Sequence, residues 1–182
     1  MRHDVIVAGI GGRGALILGQ VLAHAAADRY KYVTWCPNMT TARRGAPADC
    51  TVVLSDEEIA SPLVQQAQTL ILVDPSQTKS FEHRVQPGGE VFLEISGMND
   101  KMERRDVHVL EVPGLNIAAK LGDTQVGNFV LFGAYVGRTK VISADSVEKE
   151  LHKRFAGRNR ILSLNIDAFR EGMALTTSCE EC

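Results

Sequence analysis

Residues 3–27, HDVIVAGIGGRGALILGQVLAHAAA, decide the fold of this 182-residue chain. An apolar run at residues 3–8 enters a glycine-rich turn at residues 9–14, and apolar residues then recur at helical spacing over residues 15–26. The pattern predicts a strand, a tight turn and a helix whose first N–H groups face outward. Those groups and the helix dipole suit a phosphate, a carboxylate or a partner's acidic group.

The spacing of Gly9, Gly11 and Gly14 also matches the first half of the fingerprint that binds dinucleotides. The second half of that fingerprint is missing. It would be an Asp or Glu about 20 residues farther on, which holds a ribose hydroxyl. The next apolar segment, residues 30–36, ends without an acid, and the first acidic residue after it is Asp49. NAD binding is therefore disfavoured. A purely structural glycine turn and a site for an anion or a partner both stay open.

Composition indicates one globular domain. Apolar residues make up 45% of the chain and charged residues 23%, and the net charge of −2 gives no reason to expect nucleic acid or a membrane as partner. There is no run of about 18 apolar residues and no basic-then-apolar leader, so we expect a soluble, cytoplasmic protein. We expect a single domain at residues 1–175 and a flexible tail at residues 176–182.

Hydrophobic periodicity predicts a Rossmann-like α/β fold. We expect a short helix at residues 62–67, a turn at residues 87–89 and a helical C-terminal third that ends near residue 175. Strands are expected at residues 3–8, 30–36, 50–55, 69–74, 90–95 and 107–112. These elements predict a largely parallel sheet flanked by helices, with the first strand central and the glycine turn at its carboxyl edge.

The C-terminal helices carry more apolar surface than one sheet face needs. Their aromatic residues are Phe129, Phe132, Tyr135, Phe155 and Phe169. We therefore expect part of this surface to contact a partner, although a core stripe and an interface stripe look alike in a sequence.

A second loop, residues 37–47, has no apolar periodicity but carries Arg43 and Arg44, followed by Gly45. Solvated surface charge is one interpretation of the two arginines. The other is that their guanidinium groups pair with a carboxylate or phosphate of a ligand or another subunit. Asp74, at the end of a buried strand, is expected to cap the following turn rather than contact a ligand.

Several signatures of catalysis and metal binding are absent from the sequence. The five histidines include no i, i+4 pair, and there is no Gly-x-Ser-x-Gly elbow, phosphate loop or four-cysteine cluster. Cys179 and Cys182 have the spacing of a metal or redox clamp, but no second pair accompanies them. We expect no catalytic residue, no metal site and no cofactor in this chain.

Four segments of the chain resemble the gamma subunit, or gamma domain, of the 2-oxoacid:ferredoxin oxidoreductases. They are GIGGRG (9–14), RGA with DCTVVLSD (44–46 and 49–56), NFVLFGA (128–134), and FAG with NIDAFREG (155–157 and 165–172). The resemblance covers about residues 3–175. That family commonly has Gln where this chain has Arg13, and Gly where it has Ala46.

Enzymes of that family decarboxylate a 2-oxoacid oxidatively, join the acyl group to coenzyme A and send electrons to ferredoxin. The resemblance implies that thiamine diphosphate, magnesium and iron–sulfur clusters lie in sister subunits, namely alpha, beta and a ferredoxin-like delta. It implies that this chain is a gamma subunit without a cofactor, inactive alone, which shapes the active site and the coenzyme A side.

The glycine turn, the arginine loop and the resemblance together define the candidate residues for binding a ligand or partner. They are Gly9, Gly11, Gly12, Arg13, Gly14, Arg43, Arg44, Gly45 and Asn128. Two alternatives remain. One is a stand-alone nucleotide-dependent oxidoreductase, which would need the missing acid and a proton donor, and the other is a non-enzymatic Rossmann-like ligand-binding module.

Overall fold

The computed structural model describes residues 1–38, 45–97 and 102–177. Within these ranges the chain forms six strands and six α-helices. The strands are β1 (Arg2–Ile10), β2 (Tyr32–Asn38), β3 (Pro47–Ser55), β4 (Ala67–Leu72), β5 (Val85–Glu94) and β6 (His108–Val112). The helices are α1 (Ala15–Ala26), α2 (Thr78–Phe81), α3 (Gly114–Leu121), α4 (Gly127–Thr139), α5 (Ala144–Arg154) and α6 (Asn159–Thr177).

The first strand lies inside a single six-stranded sheet of order β2-β3-β1-β4-β5-β6. β1, β4, β5 and β6 run parallel to one another, whereas β3 is antiparallel to both β1 and β2. The α/β class, the largely parallel sheet and the central first strand are therefore confirmed. Because β1 and β4 are parallel neighbours, the glycine turn after β1 lies at the same sheet edge as the end of β4.

The two faces of the sheet are covered differently. On one face Val5 and Phe92 pack in a core with α1 and the helices from α3 to α6. On the other face Ile6 and Leu70 pack with Phe81 and with side chains from short turns and loops. The long helices all lie on one side of the sheet, and the N-termini of α1 and α4 meet on that side.

The aromatic residues of the C-terminal helices belong to this core. Phe129, Phe132, Tyr135 and Phe169 are at most 2% exposed, and Phe155 packs against them from a partly buried position. These rings pack on one another and on the sheet, so the prediction that they form a partner-facing surface is wrong.

Two local predictions are also wrong. Residues 62–67 are not a helix: the chain runs irregularly there before it enters β4, and the Arg84 guanidinium donates to the carbonyl groups of Val64 and Gln65 (3.0 and 2.9 Å). Residues 87–89 lie inside β5 rather than in a turn, at the point where its pairing with β4 shifts register.

The last helix continues to Thr177, slightly past the predicted domain boundary. Residues 178–182 lie outside the described ranges, so the flexibility of the tail stays a prediction, and Cys179 and Cys182 lie there too.

Candidate functional site

The glycine turn closes between the end of β1 and the start of α1. The Arg13 N–H donates to the Ile10 carbonyl (3.1 Å), and Gly14 caps the helix with a left-handed backbone (φ 82°) that favours glycine. The cap lacks a side-chain hydrogen bond, and the first turn of α1 has no acidic residue. The N–H groups of that turn are therefore available to an anion or a partner's acidic group.

Asn128 connects this turn to the start of α4. Its side-chain amide donates to the Gly14 carbonyl (3.4 Å), and its Oδ1 accepts from the Phe129 N–H (3.0 Å). A Cβ at Gly14 would come well inside 3.0 Å of the Asn128 side chain, so the close approach requires glycine. The structure thus brings together Gly14 and Asn128, two residues predicted as parts of one site.

The residues that follow β4 pack closely on Gly9, where a Cβ would lie 2.5 Å from Val73 Cγ2 and 3.7 Å from Asp74 Cβ. Asp74 Oδ1 accepts from the Ser76 N–H (3.0 Å) and hydroxyl (2.6 Å), which confirms the predicted cap. Asp74 Oδ2 accepts from Arg13 Nε (3.2 Å). The buried carboxylate therefore holds the one arginine of the turn.

The end of the second loop also meets the turn. The Gly11 N–H donates to the Ala46 carbonyl (2.8 Å), and a Cβ at Gly11 would lie 3.7 Å from the Gly45 nitrogen. Arg43 and Arg44, the charged residues of that loop, lie outside the described residues.

A cleft of about 200 Å³ opens where the turn, α4 and α6 meet. Gly12, Arg13, Gly14 and Asn128 line it, whereas Gly9 and Gly11 support it from behind through the contacts given above. Its apolar lining includes Ile17, Phe129, Phe155, Ile161 and Leu164. Ile17 and Ile161 are 43% and 44% exposed, and they are two of only five large apolar side chains that the described residues leave exposed.

The cleft continues into a wider, open depression of about 570 Å³. The two share Asp123, Ile161 and Leu164, and the depression adds Arg158 and Arg160 from the start of α6. Both arginines are exposed, and no carboxylate of the described residues lies within ion-pair distance of them. A slot lined in part by apolar side chains therefore runs from a helix N-terminus, past the Asp123 carboxylate, to the exposed side chains of Arg158 and Arg160.

Four residues of the cleft and the depression are not among those predicted from the sequence. Ile17 falls outside the apolar stripe of α1, and that position was a usable signal because an off-stripe isoleucine faces solvent or a ligand. Ile161 lies near the start of α6, which leaves it 44% exposed. Arg158 and Arg160 follow the FAG segment directly, and their place in the depression that adjoins the cleft depends on tertiary packing.

The buried ionisable groups outside the cleft have structural roles. Glu94 accepts from the Ser96 and Leu115 N–H groups (2.7 and 3.0 Å) and so caps α3, while burial raises its pKa above the usual range. Burial likewise raises the pKa of the Cys50 thiol to about 12. Among the described residues, no group of three or more His, Cys, Asp or Glu could hold a metal ion.

The fold and the cleft define an α/β domain with a ligand-sized groove at the carboxyl edge of its parallel strands. The chain belongs to the pyruvate ferredoxin/flavodoxin oxidoreductase family, whose model matches residues 4–175. This confirms the resemblance drawn from the four sequence segments.

One relative is the ketoisovalerate oxidoreductase subunit VorA of Methanothermobacter thermautotrophicus, 29% identical over 170 residues. The match includes 92% of this chain but 35% of that subunit, so the chain spans about a third of the length of the relative.

Two solved structures share the fold. The gamma subunit of the keto/oxoacid ferredoxin oxidoreductase from Geobacter sulfurreducens has a TM-score of 0.82 at 23% identity, over 97% of this chain and 99% of that one. The 2-oxoglutarate:ferredoxin oxidoreductase of Magnetococcus marinus, solved with 2-oxoglutarate, coenzyme A and succinyl-CoA bound, has a TM-score of 0.86 at 21% identity. That match covers 97% of this chain and 31% of the longer one.

None of the helices within the described ranges combines the length and apolar character needed to cross a membrane.

Proposed function

We propose that this chain is the gamma subunit of a cytoplasmic, thiamine diphosphate-dependent 2-oxoacid:ferredoxin oxidoreductase. The family match over residues 4–175 supports the assignment, and so does the fold shared with a separate gamma subunit along nearly its whole length. The complete enzyme would decarboxylate a 2-oxoacid oxidatively and form its acyl-CoA.

In this proposal the alpha, beta and ferredoxin-like delta subunits carry thiamine diphosphate, magnesium and the iron–sulfur clusters, and ferredoxin accepts the electrons. The sequence of this chain has neither a thiamine diphosphate motif nor the cysteine spacing of a cluster, which fits a subunit that works through its shape and its surface. Isolated, the chain would be inactive.

The observation that carries the proposal is the shape and charge of the cleft. Coenzyme A combines a long, largely apolar arm with several phosphate groups. The apolar side chains of the slot, Ile17 and Ile161 among them, suit the arm, and the guanidinium groups of Arg158 and Arg160 suit the phosphates. We therefore place the coenzyme A side of the enzyme at this cleft, and the proposal extends to Arg43 and Arg44 of the adjoining loop.

Copurification tests the subunit assignment. Expressed with its genomic neighbours, the tagged chain should bring down a complex that reduces ferredoxin or a viologen dye when a 2-oxoacid and coenzyme A are supplied. A chain that is active alone, or that brings down no thiamine-dependent partner, would contradict the proposal.

Charge reversal tests the cleft. In the assembled enzyme Arg158→Glu/Arg160→Glu should raise the KM for coenzyme A at least about 10-fold with kcat nearly unchanged, because two charge-assisted hydrogen bonds are lost. Lys153→Glu is the matched control: it reverses a nearby exposed charge on α5 that does not line the cleft. If the two variants have equal KM values for coenzyme A, the cleft does not bind coenzyme A.

A further inference from the structure

Among the described residues, Arg13 is held through one of its three guanidinium nitrogens. Its Nε donates to Asp74 Oδ2 at 3.2 Å, and no described residue accepts a hydrogen bond from either Nη. The side chain lines the cleft and is 43% exposed. With respect to the part of the chain that the structure describes, the remaining N–H groups are therefore open to a ligand.

The carboxylate that holds Arg13 is itself fixed. Asp74 is 5% exposed, and its other oxygen accepts from both the N–H and the hydroxyl of Ser76. The aspartate therefore cannot turn toward the cleft without breaking its cap on the following 3₁₀ turn, Pro75–Gln77. One oxygen anchors the aspartate and the other anchors the arginine.

We propose that Asp74 is a positioning residue that holds the Arg13 guanidinium at the mouth of the cleft and thereby makes the cleft selective for an anionic ligand. The inference rests on the proposed function, in which that ligand is coenzyme A and the anionic group is one of its phosphates. Arg13 stands beside the free N–H groups of α1, so the guanidinium and the helix N-terminus act on the same phosphate.

A single isosteric change separates the two roles of Asp74. In Asp74→Asn the amide oxygen can still accept from Ser76, so the turn keeps its cap. The amide nitrogen then faces Arg13 Nε, two donors oppose each other, and the guanidinium is released. A merely structural Asp74 would leave the KM for coenzyme A unchanged.

The test uses the assembled enzyme with Asp74→Asn, Arg13→Gln and the double variant. We expect the KM for coenzyme A to rise about 10-fold in Arg13→Gln and about 5-fold in Asp74→Asn, with kcat nearly unchanged. The double variant should be no worse than Arg13→Gln, because Asp74 acts through Arg13. Asp106→Asn, which removes the carboxylate bound by Arg104 Nε away from the cleft, should leave KM unchanged.

The outcomes separate this inference from the subunit assignment. If the enzyme assembles and Arg13→Gln raises KM but Asp74→Asn does not, positioning by Asp74 is refuted while the proposed function stands. An Arg13→Gln enzyme whose KM for coenzyme A equals the wild-type value would also refute positioning by Asp74.

Titration of the purified chain with inorganic pyrophosphate tests the same pair without sister subunits. Binding that weakens in both single variants and not in Asp106→Asn supports the inference. No binding by the unmodified chain, or equal binding by all variants, overturns it.

Discussion

Replacing Gly133 with alanine tests the packing that holds the C-terminal helices together. Gly133 lies on α4 where its backbone touches α6, and a Cβ there would lie well inside 3.0 Å of the Phe169 carbonyl oxygen and 2.9 Å from the Met173 nitrogen. Gly172 on α6 makes the reciprocal contact with Val130 of α4. Each helix thus has a glycine where the other's backbone passes.

Helix propensity and packing predict opposite effects of this change on the free energy of unfolding. Alanine is favoured over glycine in a helix interior by about 1 kcal/mol, so propensity alone predicts a more stable protein. The added methyl group, however, would push two backbones apart by about 1 Å, and backbone atoms cannot rotate out of its way.

The separation would also loosen the buried Phe132–Phe169 contact, whose ring centroids are 5.7 Å apart. Overpacking of this kind costs about 3 kcal/mol, which outweighs the gain in propensity. We expect Gly133→Ala to lower the free energy of unfolding by about 2 kcal/mol and the Tm by roughly 6 °C.

Denaturant and thermal unfolding followed by circular dichroism measure this effect. Gly157→Ala is the control: Gly157 has a φ of 77° and no atom near its missing Cβ, so the change adds backbone strain of about 1 kcal/mol without a clash. A Gly133→Ala protein as stable as the unmodified chain, or more stable, would refute the α4–α6 contact described here.

Burial shifts the pKa of two further groups, the buried Cys50 thiol and the partly buried His3 imidazole, and each shift gives a prediction. Because burial raises the pKa of Cys50 to about 12, a thiol reagent at pH 8 should leave the Cys50 peptide unmodified until the chain is unfolded, as peptide mapping by mass spectrometry would detect. Burial and then the Arg29 charge lower the pKa of His3 below its usual 6.5, so the folded state binds fewer protons than the unfolded state just below that pH. His3 should therefore destabilise the fold as the pH drops from 7 through its lowered pKa, and the Tm of His3→Gln should fall less over that range than that of the unmodified chain.

The sequence by itself determined the local elements and their order. The apolar run, the glycines and the helical stripe of residues 3–27 predicted β1, the turn and α1 closely, because each depends on neighbours within a few residues. The six strands followed in the same way. Local signals failed at residues 62–67, where the chain is irregular and its carbonyl groups accept from the side chain of Arg84, about 20 residues farther on.

Only the tertiary structure decided how the candidate site is assembled. Arg13 and Asp74 are 61 residues apart in the chain, and Gly14 and Asn128 are 114 apart, yet both pairs are joined by hydrogen bonds. Periodicity could not predict that the aromatic rings of α4 and α6 face the sheet while Ile161 faces a cleft. An apolar stripe that packs in a core and one that contacts a ligand have the same spacing in the sequence. Which face is buried depends on how distant segments pack, and that packing places Arg158 and Arg160 beside the cleft.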